Sequence, residues 1–157
     1  MSFLELKLPP VLLVLAFALL MWGVSQLGVL SFLQLDLVFI VRLSILLFGI
    51  IAGSLIALLG VKAFKEASTT VNPIKPESAS SLVTSGIYQY TRNPMYLGML
   101  LCVIAWSGFL AHFGALALTP FFVLYMSRFQ IEPEERALET LFGDQVLEYR
   151  TQVRRWC

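Results

Sequence analysis

Apolar and polar positions in this chain alternate in long blocks. After a short start carrying Glu5 and Lys7, Pro9-Pro10 open an apolar run that extends through Leu33. Proline suits the first turn of a helix, where its missing N–H is not needed. Ser25, Gln26, Gln34 and Asp36 mark a polar break, and a second apolar run covers residues 37–64. That run is long enough to cross ~30 Å of hydrocarbon even when tilted. Residues 65–93 form an extended polar segment whose prolines and serines exclude a long helix. A third apolar run (95–111) and a fourth (115–129) are separated only by His112-Phe113-Gly114. Such a short connection predicts a tight antiparallel helical hairpin, with Pro120 kinking its second arm. Beyond Arg128, Leu138, Leu141, Phe142, Val146 and Tyr149 recur at helical spacing between charged residues, predicting an amphipathic helix. The pattern predicts a single-domain, all-α integral membrane protein. Its four spans cover residues 10–33, 37–64, 94–111 and 115–130, and its polar segments cover 65–93 and 131–157.

Composition agrees with this reading. Of 157 residues, 58% are hydrophobic and 13% charged, against roughly a quarter charged in soluble domains. The first run has neither a basic leader nor a small-residue cleavage site, which predicts a retained span. Gly49-x-x-x-Gly53 offers a small-residue face for close helix packing. Arg42, near the outer end of the second span, is expected to reach the interface or to pair with Asp36. Lys7, Lys62, Lys65, Lys75 and Arg92, and the arginines from Arg128 onward, fall on one side of a four-span arrangement. By the positive-inside rule both termini and the polar segments are then cytoplasmic, facing the inner membrane if the host is bacterial. A net charge of +1, with no basic run longer than Arg154-Arg155, argues against nucleic acid as a partner. Cys102 and Cys157 form neither a disulfide framework nor a metal pattern, and His112 reads as a loop residue at the membrane edge. No metal site is expected.

Two polar sets converge on the cytoplasmic face. One leads into the third span: Ser85-Gly86-Ile87-Tyr88-Gln89-Tyr90-Thr91-Arg92-Asn93-Pro94-Met95-Tyr96-Leu97-Gly98. The other leaves the fourth span, with Glu132, Glu134 and Glu135 near Arg92 and Arg128. A plain membrane anchor would also place arginines at headgroups and glutamates in water. The density of Gly, Tyr and Asn-Pro argues for a pocket instead. The near absence of polar residues inside the spans argues against a transporter.

These residues resemble a known family. Gly86-Ile87-Tyr88 followed by Arg92-Asn93-Pro94-Met95-Tyr96-Leu97-Gly98, and Glu134-Glu135-Arg136-Ala137-Leu138 followed by Phe142-Gly143, are similar to the motif pair of the isoprenylcysteine carboxyl methyltransferases and their phospholipid methyltransferase relatives. Those are integral membrane enzymes that use S-adenosylmethionine. The resemblance covers residues 70–156. It implies a cofactor held by Asn72, Ser80, Ser81, Leu82, Val83, Gly86, Tyr88, Arg92, Asn93, Pro94, Met95, Tyr96, Gly98 and Glu134. It also implies Arg128 and Gln130 at the substrate and Glu135 as a candidate base. The motif's common histidine is Asn93 here, its first tyrosine after Phe-Gly is Val146, and a substrate-contacting arginine aligns with Gln130. The expected reaction is methyl transfer to a lipophilic acceptor at the cytoplasmic face. A carboxylate acceptor needs only a cation to hold it, whereas an amine of a phospholipid or other molecule needs a base. Both stay open at this point.

Overall fold

The structure, a computed structural model, describes residues 5–68 and 79–157. Helix α1 (Pro10–Ser25) is followed by a 3-10 turn (Gly28–Leu33) and the long α2 (Phe39–Glu66). A second 3-10 turn (Gly86–Gln89) leads into α3 (Pro94–Leu110), then α4 (Phe113–Leu116) and α5 (Thr119–Met126). A π-type turn (Ser127–Ile131) joins α5 to α6 (Glu132–Phe142), and α7 (Asp144–Gln152) precedes an extended C-terminal tail. Among the described residues there is no β-strand, only an isolated bridge between Gln34 and His112.

Within the described residues α2 is the helix long and apolar enough to cross a membrane, and α1 and α3 are shorter apolar helices. The large side chains on the outside of α2, among them Phe48 (77% exposed) and Leu58 (65%), are what a lipid-facing surface requires. The most extensive helix contact is between α2 and α3. Small residues explain it, as the Gly49/Gly53 spacing predicts. A Cβ placed on Gly53 would lie 2.5 Å from the Gly98 carbonyl oxygen, and one on Gly49 would collide with the Ala105 methyl. Neither α1 nor α3 has a polar face, and the inner core is largely apolar: Leu13, Met21, Val103, Phe122, Met126 and Ile131 meet there. Phe17 meets Phe122 edge-on at 5.3 Å.

Three expected elements differ. The first run stops being an α-helix at Ser25, whose hydroxyl donates to the Trp22 carbonyl, and its last residues form the 3-10 turn. The expected helix over residues 115–130 is divided. Pro120 sits in the first turn of α5 and does not kink a longer helix, because it restarts the chain where an N–H is not required. The single amphipathic tail helix is two helices, broken at Gly143, whose φ of 52° disfavours any side chain.

Arg42 and His112 also behave differently from expectation. Arg42 turns to α3 and not to Asp36. Its Nε donates to the Phe109 carbonyl at 2.5 Å and its guanidinium lies 5.3 Å over the Phe109 ring, closing the C-terminus of α3. His112 is 2% exposed. Its Nδ1 accepts from the Ala115 N–H (3.3 Å) and its Nε2 lies 3.2 Å from the Leu30 carbonyl, so it caps α4 and ties it to the first 3-10 turn.

Candidate functional site

The end of α2, the segment entering α3, and helices α6 and α7 enclose a cavity of about 100 Å³ that is partly open to solvent. A small second core of Ala63, Val83, Tyr88, Tyr149 and Val153 fixes its walls. Ser80 and Ser81 donate to the Ser68 (3.3 Å) and Ala67 (3.2 Å) carbonyls, which pins the returning polar segment to the end of α2. Gly86, at φ 61°, makes the turn that swings Tyr88 inward. The Tyr149 hydroxyl donates to the Tyr88 carbonyl at 2.6 Å, and the Tyr88 ring stands against Phe64 at 5.4 Å.

The C-terminal tail completes the wall. The Arg92 N–H donates to the Arg154 carbonyl at 3.0 Å, and the Asn93 Nδ2 donates to the Arg155 carbonyl at 2.9 Å. The Asn93 amide that stands at the usual histidine position is therefore engaged with the tail.

The two adjacent glutamates of α6 have unlike surroundings. Glu135 is surrounded by cations: Arg155 at 2.7 Å, Arg92 at 3.3 Å and Arg150 at 3.9 Å. Glu134 accepts a short hydrogen bond from the Tyr96 hydroxyl and faces the cavity. Burial pushes its carboxyl up to about 8, the Glu135 charge adds to the rise, and the Tyr96 hydrogen bond opposes it. The residue keeps partial exposure through the cavity. Burial also raises Tyr88 and takes Tyr149 up to about 12, with Arg92 opposing the latter. Arg92 is pulled below its ordinary value by burial, with Glu135 opposing, and still carries its charge. Its Nε and Nη1, and the Nε of Arg150, are buried without a hydrogen-bond partner in the protein. Buried donors of this kind call for an acceptor.

Of the residues expected at a cofactor, Ser81, Leu82, Val83, Tyr88, Arg92, Asn93, Met95, Tyr96 and Glu134 line this cavity, as does Glu135. Ser80 does not line it. Gly86 faces a separate groove beside Lys62 and Tyr90. Pro94 packs on Gly60, and Gly98 packs on Gly53. Asn72 lies outside the described residues. Arg128 and Gln130, expected at the substrate, stand away from the cavity walls. Arg128 is bound to Glu5 (3.3 Å) and Glu132 (3.2 Å), and the buried Gln130 donates to the Leu8 carbonyl at 2.8 Å. Sequence reasoning did not assign Phe64, Ala79, Leu138, Val146, Tyr149 and Arg150 to the site, yet they line it. Leu138, Val146 and Tyr149 did carry a signal, since they form the apolar stripe of the tail. Nothing in the sequence marks Phe64 or Arg150.

The fold and this site define a helical, membrane-associated protein with an apolar cavity holding a few convergent charged and hydroxyl groups. The chain belongs to the phospholipid methyltransferase family, whose model matches residues 40–145. That span includes α2, α3 and the glutamate pair of α6. Membership points to methyl transfer and to lipid-like substrates. An uncharacterized protein of Haemophilus influenzae is 42% identical over 62 residues, which are 40% of this chain and 98% of the relative. No solved structure matches the chain.

Proposed function

We propose that this protein is a membrane methyltransferase that uses S-adenosylmethionine to methylate a lipophilic acceptor at the cytoplasmic face. One observation carries the reading. One cavity is lined by Glu134, Arg92 and Arg150, and buried guanidinium N–H groups of both arginines have no partner in the protein. Such a site suits a ligand with both a carboxylate and cationic groups. S-adenosylmethionine, when bound, supplies a methyl group on a positively charged sulfur.

The chain's own residues divide the remaining work. Arg92 carries N–H groups, Nε and Nη1, that have no partner in the protein and can donate to a carboxylate. Glu134, held by Tyr96, meets an amino group or a ribose hydroxyl. The faces of Tyr88 and Phe64 provide an aromatic surface beside a cation. Alignment of donor and acceptor is the main source of acceleration, worth about 7–11 kcal/mol in well-oriented systems. The clustering of cations on the polar segments supports cytoplasmic placement, where a soluble cofactor is available.

The acceptor classes divide on acid–base chemistry. Arg128, the cation expected to hold a carboxylate acceptor, is bound to Glu5 and Glu132 outside the cavity. Glu135 is held by three guanidinium groups and is engaged in ion pairs. Glu134, raised toward neutral pH, is the better proton acceptor. These observations favour an amine acceptor over a carboxylate.

The test is S-adenosylmethionine binding to purified protein across pH. Ionised Glu134 attracts the cationic ligand, so affinity rises with pH and levels off near pH 8. Glu134→Gln weakens binding at least tenfold and removes this dependence. Tyr96→Phe moves the midpoint upward, because the hydroxyl stabilises the carboxylate. Wild-type affinity in both Glu134→Gln and Tyr96→Ala would sink the assignment. Labelled lipid extracts then report the acceptor: methyl esters release their label in base, whereas N-methyl groups keep it.

A further inference from the structure

The π-type turn at Ser127–Ile131 joins the apolar helices to the helix that carries the glutamate pair. Wide turns of this kind are rare, short and intrinsically weak. This one is held from both ends of the chain. From the N-terminal side, the Leu6 N–H donates to the Phe129 carbonyl at 3.1 Å, and Gln130 reaches the Leu8 carbonyl. Glu5, its side chain 6% exposed, bridges Arg128 on the turn (3.3 Å) and Arg136 on α6 (2.9 Å). From the C-terminal side, the Trp156 Nε1 donates to the Ser127 hydroxyl at 3.2 Å, and Arg155 lies 3.8 Å from Glu132. Leu6 keeps a left-handed φ of 55°, a conformation unfavourable for leucine that persists only where surrounding bonds over-determine it.

We infer that these two strands of chain form a clamp that sets the rotational register of α6, and that Glu5 and Gln130 are positioning residues for the cavity. A π turn holds one residue more than an α turn. If it relaxed to ordinary α geometry, everything beyond it would rotate by about 100° about the helix axis. Glu134 would then leave Tyr96, and Glu135 would leave the three arginines. Residues 122 to 131 positions away in sequence thus decide which side chains face the ligand. The same contacts account for Arg128 and Gln130 lying beside the turn and not in the cavity. The claim about ligand binding rests on the S-adenosylmethionine reading, whereas the claim about register does not.

The experiment uses the full chain in a Cys102→Ala, Cys157→Ser background with spin labels at exposed Tyr90 and Leu141, and it measures their separation without ligand. Wild type gives one narrow distance. Glu5→Gln and Gln130→Leu each give a second distance or a broadened distribution, and the exchange Glu5→Arg with Arg136→Glu narrows it again. In parallel, Glu5→Gln weakens S-adenosylmethionine binding about tenfold. It is non-additive with Glu134→Gln, because both act through the same carboxylate. An unchanged distance in Glu5→Gln and Gln130→Leu overturns the clamp. A shifted distance in the variants, together with a wild-type protein that binds no S-adenosylmethionine, upholds the clamp and overturns the cofactor reading. Partial recovery in the charge exchange excludes simple unfolding of the Glu5 variant.

Discussion

The α2–α3 contact and the α6 end of the cavity are assembled by opposite means. Between α2 and α3, apart from Arg42 at the end of α3, the contact is one of shape: Gly53 and Gly98 let two backbones approach until no side chain fits, and Gly49 does the same for Ala105. In lipid, where apolar burial gives helices no preference for one another, such close contact is what selects a partner. At α6 the groups are polar and the surroundings partly wet. Position is set there by directed bonds from Tyr96, Arg92, Arg155 and Glu5. Shape dominates the first interface and has no adjustable part. The second is a network, in which losing one bond shifts the others without dissolving the fold.

The difference can be broken most sharply at Gly98. Gly98→Leu should separate α2 from α3 at a cost of about 3 kcal/mol or more, since overpacking a backbone contact cannot be relieved by a rotamer change. Thermal unfolding in detergent, together with yield, reads this loss, and ligand binding falls with it.

Glu135→Gln comes next and should leave the apolar interface intact. Freed of their common partner, Arg92, Arg150 and Arg155 repel one another, and ligand affinity drops on the order of tenfold. The rise of affinity with pH survives, because Glu134 is untouched. Titration of binding against pH separates this variant from Glu134→Gln, which loses the pH dependence.

Asn93→Ala should have the smallest effect. It removes one hydrogen bond to the tail, worth about 1 kcal/mol, while Arg92 and Thr91 keep the tail in place. Proteolysis of the tail should quicken more than binding weakens. Asn93→His, which restores the motif's common residue, tests whether a ring at this position can serve the same carbonyl.

Stability carries its own pH signature. Glu134 is held protonated to about pH 8 in the folded chain but ionises near its ordinary 4.5 when unfolded. The folded state therefore binds more protons between these values, and stability falls as pH rises through that window. Water reaching the cavity reduces the effect to an order of 1–2 kcal/mol. Glu134→Gln should flatten the slope in pH-dependent melting.

Much of this was legible in the sequence. The apolar blocks locate α1, α2 and α3, because a segment without polar groups can satisfy its backbone only as a helix when water is excluded. The re-entry motif and the glutamate pair pointed to two facing walls of one site, and Tyr96 and Glu134 do meet. The glycine spacing on α2 showed which face would be buried, though not that Gly98 would meet it. What misled was local appearance. Arg128 and Gln130 sit one turn from the glutamates in sequence and look equally available, but a π turn and the N-terminal residues direct them elsewhere. Pro120 looked like a kink and is a helix start.

The sequence by itself determined a helical membrane-type chain and the two motifs that build the cavity. Both depend on composition and on local spacing, which a chain carries with it before it folds. Only the tertiary structure decided that adjacent Glu134 and Glu135 differ, one raised by burial beside Tyr96 and the other paired with three arginines. It alone brought both ends of the chain to the turn that aims them. The physical reason is that burial and charge pairing depend on what approaches from distant parts of the chain. Here those parts are Tyr96 in α3 and Arg155 in the tail, together with Glu5 at the start.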